Sequence, residues 1–107
     1  MSHGSTISKE DAKTLIQKFQ TDNPNEKNAF LYDASLIQDL LDDSTETVGV
    51  RIYLGKNEDD AFCLVLVGTD SSEEDLTNNL ILEMGSPCPA SCDPNSYFNS
   101  WALSYLI

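Results

Sequence analysis

The hydrophobic period changes once along the chain, near residue 47, and that change limits the fold more than any other feature. Before it, Ala12, Leu15, Ile16 and Phe19 recur at i, i+3, i+4 and i+7, one stripe of a helix. Ser8 stands at the N-cap position with Asp11 three residues later, and Asn23-Pro24-Asn25 stops the pattern at about Asp22. Ile7 is placed to staple onto Ala12, and Lys9, Lys13 and Lys18 occupy the opposite face, expected to be solvated. Leu36, Ile37, Leu40 and Leu41 repeat the helical stripe over about Asp33 to Asp42, with Asp33 as cap. Ala29 to Tyr32 reads as an apolar lead-in packed between the two helices.

Beyond residue 47 the period is two. Val48, Val50, Ile52 and Leu54 alternate with Gly49, Arg51, Tyr53 and Gly55, which gives a strand with one aliphatic face. Lys56 to Asp60 has hairpin length. Phe62 to Val67 is apolar on both faces, as a covered central strand would be. Leu80 to Met84 makes a third strand. The expectation is therefore an α+β domain, with two N-terminal helices packed on one face of a small antiparallel sheet of three or more strands. Residues 1–6 are expected to be a disordered tail and 7–107 a single domain, a size that supports a core.

The C-terminal segment reads two ways. Asp93-Pro94 suits a helix start that would align Phe98, Trp101, Ala102 and Tyr105, yet Trp101, Leu103, Tyr105 and Ile107 also alternate as a strand. In either form this aromatic tail is expected to dock, on its own domain or on a partner, a homodimer through the tail included.

Charge excludes whole classes of function. Eighteen acids oppose six bases, for a net charge of -12. Residues 1 to 32 are neutral, so residues 33 to 107 carry the whole excess, with Arg51 and Lys56 as their only bases. Such a surface repels a phosphate backbone, so nucleic acid is not an expected partner. It would attract a protein with a basic surface. No apolar run is long enough to span a bilayer, and the polar first fifteen residues contain no secretory signal, so a cytoplasmic setting without membrane contact is expected.

Reactive constellations are few. The lone histidine, His3, lies in the tail, which disfavours Ser-His-Asp and Cys-His chemistry. The five glycines are scattered, so there is no phosphate-cradling loop. No cofactor and no metal is expected, because the acidic loops at 57–60 and 70–75 lack the calcium-loop spacing. Cys63 sits mid-strand and reads as an inert buried thiol. Cys88 and Cys92, set among Pro87, Pro89 and Pro94, suit a small structural or disulfide loop, with redox use as the alternative. Arg51 and Tyr53, flanked by Gly49 and Gly55, form a strip open to an anionic or planar ligand. The plainer reading pairs Arg51 with a carboxylate across the strands.

The strings Val48-Gly49-Val50-Arg51-Ile52-Tyr53-Leu54-Gly55, Leu64-Val65-Leu66-Val67-Gly68 and Cys88-Pro89-Ala90-Ser91-Cys92 resemble a group of small bacterial proteins of uncharacterised function. In that group a G-[IV]-R-[IV]-Y-x-G strand and an L-V-L-V-G strand precede a C-P-P-x-C loop; here Ala90 replaces the second proline. The resemblance implies a bacterial stand-alone domain and transfers no functional residue. The expected function is thus a non-catalytic acidic interaction module, of the inhibitor or toxin-neutralising kind. Arg51, Tyr53, Trp101 and Tyr105 are its candidate surface. The alternatives are a thiol sensor using Cys88 and Cys92, or small-ligand binding over Arg51 and Tyr53.

Overall fold

A computed structural model describes residues 3–88, 93 and 95–98. The described order is α1 (Lys9–Asp22), β1 (Ala29–Leu31), α2 (Ala34–Asp42), β2 (Gly49–Lys56), β3 (Phe62–Thr69), β4 (Ile81–Leu82) and β5 (Ser86–Cys88). The α+β class holds: two helices accompany two small antiparallel sheets, one ordered β2-β3-β4 and the other β1-β5.

Both helices begin and end near the expected residues. Ser8 Oγ accepts the Asp11 N–H (3.0 Å), and at the other end Asn23 directs its backbone N–H and its Nδ2 to the Phe19 carbonyl. Asp33 occupies the N-cap of α2 but makes no side-chain cap bond. On the lysine face of α1, Lys9 and Lys18 are exposed as expected, and Lys13 is half-buried. Lys9 and Lys13 lie 5.2 and 4.4 Å from the centroid of the Tyr97 ring, so cation–π contact joins this face to the chain near its C-terminus.

The segment 29–31 is also corrected. It is a strand, not a lead-in between helices, and it pairs with β5 in the register Ala29↔Cys88, Phe30↔Pro87, Leu31↔Ser86. A proline is tolerated in β5 because each strand of a two-stranded sheet is an edge. The proline-rich stretch thus starts as a strand and not as a loop.

β2 and β3 form the expected hairpin, from Gly49↔Thr69 to Lys56↔Phe62, and β4 joins the other side of β3 at Leu66↔Leu82 and Val67↔Ile81. Residues directly opposed share a face. Ile52, Leu66 and Leu82 therefore lie in one row on one face. Helix α2 packs on that face against β3 and β4, and Leu40, Leu66 and Leu82 form the core with Tyr32, Ile37 and Leu64 around them.

Among the described residues, no element covers the aliphatic side of β2. Ile52 is 58% and Leu54 82% exposed, although they share the face on which Leu66 is buried. Dimensions explain this: a helix about 10 Å across spans roughly two strands spaced about 4.8 Å apart, and α2 spends its width on β3 and β4.

Candidate functional site

On the opposite face of the hairpin, alternation brings Gly49, Arg51, Tyr53 and Gly55 together, as expected. The partner of Arg51 comes from the β3–β4 connection and not from a strand. Arg51 Nη1 donates to Asp75 Oδ1, Tyr53 Oη donates to Asp75 Oδ2, and Arg51 Nη2 reaches the Glu73 carbonyl (3.1 Å). One carboxylate thus holds both candidate side chains.

The connection is folded so as to present that carboxylate. Asp70 Oδ1 accepts the N–H groups of Ser72 and Glu74 (2.9 and 3.0 Å), and Glu73 takes a positive φ of 65°. Asp75 then bridges back to Thr69. Aspartate at the start of an Asp-Ser-Ser-Glu-Glu run is the sequence signal for such a turn, and it could have located Asp75.

The three groups shift one another's protonation. The Tyr53 hydroxyl, followed by the Arg51 guanidinium, holds the Asp75 carboxyl below the ordinary carboxylate value. Asp75 in turn raises Tyr53 and Arg51, chiefly through the hydrogen bonds it accepts. Burial raises Tyr32 on the other side of β3, where its hydroxyl donates to the Leu64 carbonyl (3.3 Å).

A shallow open depression adjoins Arg51, lined by Val48, Val50, Ile52, Asp70, Glu73 and His3. His3 Nε2 lies 3.8 Å from Glu73 Oε1, so part of the N-terminal tail approaches this edge.

Cys63, read as an inert buried thiol, is free and half-buried. It stands opposite Gly55, on the face that α2 does not cover, and an added Cβ at Gly55 would sit 3.3 Å from its sulfur. Cys88 is 1% exposed and disulfide-bonded. Cys92, Trp101 and Tyr105 lie outside the described residues, as does the question of helix or strand in the tail.

The acids have unequal duties. Asp43 Oδ2 accepts the Leu80 N–H (2.6 Å) and ties α2 to β4, so it is structural. Asp39, Asp42 and Glu46 are exposed, and the last turn of α2 holds no basic residue. Lys56 is 3.8 Å from Asp60. Among the described residues no group of three His, Cys, Asp or Glu side chains is arranged to hold a metal ion, and no helix is long and apolar enough to cross a membrane.

In comparison with known proteins, no family model, no curated protein and no solved structure matches the chain.

Proposed function

We propose that the protein is a non-catalytic acidic interaction module that docks a basic protein surface, of the inhibitor or toxin-neutralising kind, at the C-terminal end of α2. One observation carries this reading. Asp39, Asp42 and Glu46 crowd the negative end of the α2 dipole, exposed and without a base in the last turn. Carboxylates are disfavoured there, and cations favoured. Gln38 Nε2 donates to Asp42 Oδ2 (3.0 Å), but no basic side chain of the last turn offsets the charge, and a rule broken in this way on an exposed helix end suits a surface completed by an external cation. Lysine and arginine side chains of a partner would meet these carboxylates at the negative end of the helix dipole. The tail bearing Trp101 and Tyr105 is the second contact in this reading.

The test uses nuclear magnetic resonance titration of the full chain with a lysine-rich peptide. Shifts are expected to centre on residues 39–46 and to weaken as the Debye length contracts from about 30 Å to about 8 Å. Replacing Asp39 and Asp42 with Asn and Glu46 with Gln together should remove them. Shifts spread evenly over all acidic loops, or affinity indifferent to salt, would refute the assignment.

The two alternatives acquire stated conditions. A thiol role for Cys88 and Cys92 requires that the bonded, buried Cys88 first be reduced. A ligand over Arg51 and Tyr53 must displace Asp75.

A further inference from the structure

β2 ends the β2-β3-β4 sheet, and its outer edge has no strand beside it among the described residues. The direction of its backbone groups follows from the hairpin end, where Asn57 N–H donates to the Ala61 carbonyl (2.9 Å). Hydrogen-bonded pairs alternate along an antiparallel ladder. Gly49, Arg51, Tyr53 and Gly55 therefore turn their N–H and C=O groups towards β3, whereas Val50, Ile52 and Leu54 turn theirs outward. The residues with unpaired backbone are the same residues whose aliphatic side chains are exposed.

An edge of this kind is ordinarily blunted by an inward charge, a proline or a bulge along the strand. Over Val50 to Leu54, β2 has no proline and no charge on its aliphatic face, and its one charge there, Arg51, is tied to Asp75 on the opposite face. In a chain of net charge -12, residues 47–57 contain no acid at all, and Arg51 is neutralised by Asp75. This is the stretch along which two copies repel each other least.

We propose that β2 pairs antiparallel with β2 of a second copy about a two-fold axis at Ile52, making one sheet of the two β2-β3-β4 units. That register satisfies every constraint on the strand. It places Ile52 opposite Ile52 of the second copy and Val50 opposite Leu54, so that each bonded pair uses outward-facing backbone groups. On the aliphatic face, these side chains fill the floor between the α2 helices of the two copies. On the other face it sets Arg51 opposite Tyr53, a cation against an aromatic ring, repeated by symmetry. A single strand pair lies at the small end of specific interfaces, so the dimer is expected to dissociate in the micromolar range.

This pairing is independent of the docking of a basic partner at α2, and salt separates the two. Screening weakens attraction between an acidic surface and a cation, but it strengthens association of two copies that repel each other everywhere except at the interface. Sedimentation equilibrium of the full chain, at low and at raised salt, should show a monomer–dimer equilibrium that shifts towards dimer as salt rises. Ile52→Lys sets like charges opposite each other on the axis and should weaken the dimer about tenfold or more. Leu54→Lys, at a side chain already 82% exposed, should act in the same direction with the monomer fold intact by circular dichroism. Leu15→Lys, at a side chain of α1 that is 64% exposed, should leave the dimer unchanged. A wild-type monomer at all loadings and salts overturns the proposal. So does a dimer that salt dissociates, that survives Ile52→Lys and Leu54→Lys, or that only Trp101→Ala abolishes.

Discussion

Leu40 is where the fold is most exposed to a single change. It is 2% exposed, and it closes the core over Leu66 and Leu82, themselves 5% and 7% exposed. Leu40→Ala removes side-chain carbons from a site with little means of collapse, because β3 is held by strands on both sides and α2 by the Asp43–Leu80 tie. Buried leucines of this kind cost about 2–5 kcal/mol on truncation, and a poorly collapsing site belongs in the upper half, about 3–4 kcal/mol. A domain of this length is stable by about 5–15 kcal/mol, so the variant gives up a large share of the total. With a urea slope of about 1.5 kcal/mol/M, the unfolding midpoint should fall by about 2 M, and the melting temperature by more than about 10 °C. The measurement is urea unfolding followed by far-ultraviolet circular dichroism at low protein concentration. Leu54→Ala, made at a side chain 82% exposed, is the control and should change stability by less than about 0.5 kcal/mol. A Leu40→Ala loss below about 1 kcal/mol, or a Leu54→Ala loss of equal size, would show that the core lies elsewhere.

Three further perturbations address the site and its supports. Asp75 has a depressed carboxyl pKa, so its contribution is present above the ordinary carboxylate value and disappears as pH falls through the lower folded value; Asp75→Asn should flatten the acid limb of a melting-temperature profile below about pH 4, and parallel wild-type and variant profiles would contradict the network. Gly85→Ala would bring a Cβ to 2.5 Å from Cε2 of Tyr32, whose hydroxyl is bonded to Leu64, and should cost about 1–3 kcal/mol in chemical unfolding. Tyr32→Leu in the same chain should return part of that loss, whereas strictly additive losses would place the cause outside this contact. Neutralising Asp39, Asp42 and Glu46 together should raise the melting temperature while abolishing peptide binding; lowered stability would mean that these carboxylates serve the fold.

The sequence carried the local elements well and the non-local ones poorly, for reasons that particular residues show. Ser8, Asn23 and the i, i+3, i+4 spacing determine α1 within its own fourteen residues. The Val48 to Leu54 alternation likewise determines β2. β1 and β5 are three residues each, lie more than fifty positions apart, and place Pro87 opposite Phe30. No period can be read in three residues, and a proline argues against a strand until the partner shows that only one edge is in use. The candidate site divides in the same way. Arg51 and Tyr53 share a face because alternation requires it, but the choice of Asp75 among fourteen acids depends on the turn that Asp70 nucleates.

What alternation cannot state is which strand a helix will cover. The pattern marks Val50, Ile52 and Leu54 for burial as firmly as it marks Leu64 and Leu66. Only the width of α2, set against the strand spacing, decides that β3 and β4 are covered and β2 is left bare. An aliphatic row that is patterned for a core, exposed on an edge strand and free of acids breaks the agreement between pattern and burial that holds for Leu64 and Leu66. The conflict eases when a second β2 supplies the missing neighbour, since the same register pairs the outward backbone groups and sets the aliphatic side chains of the two copies against one another.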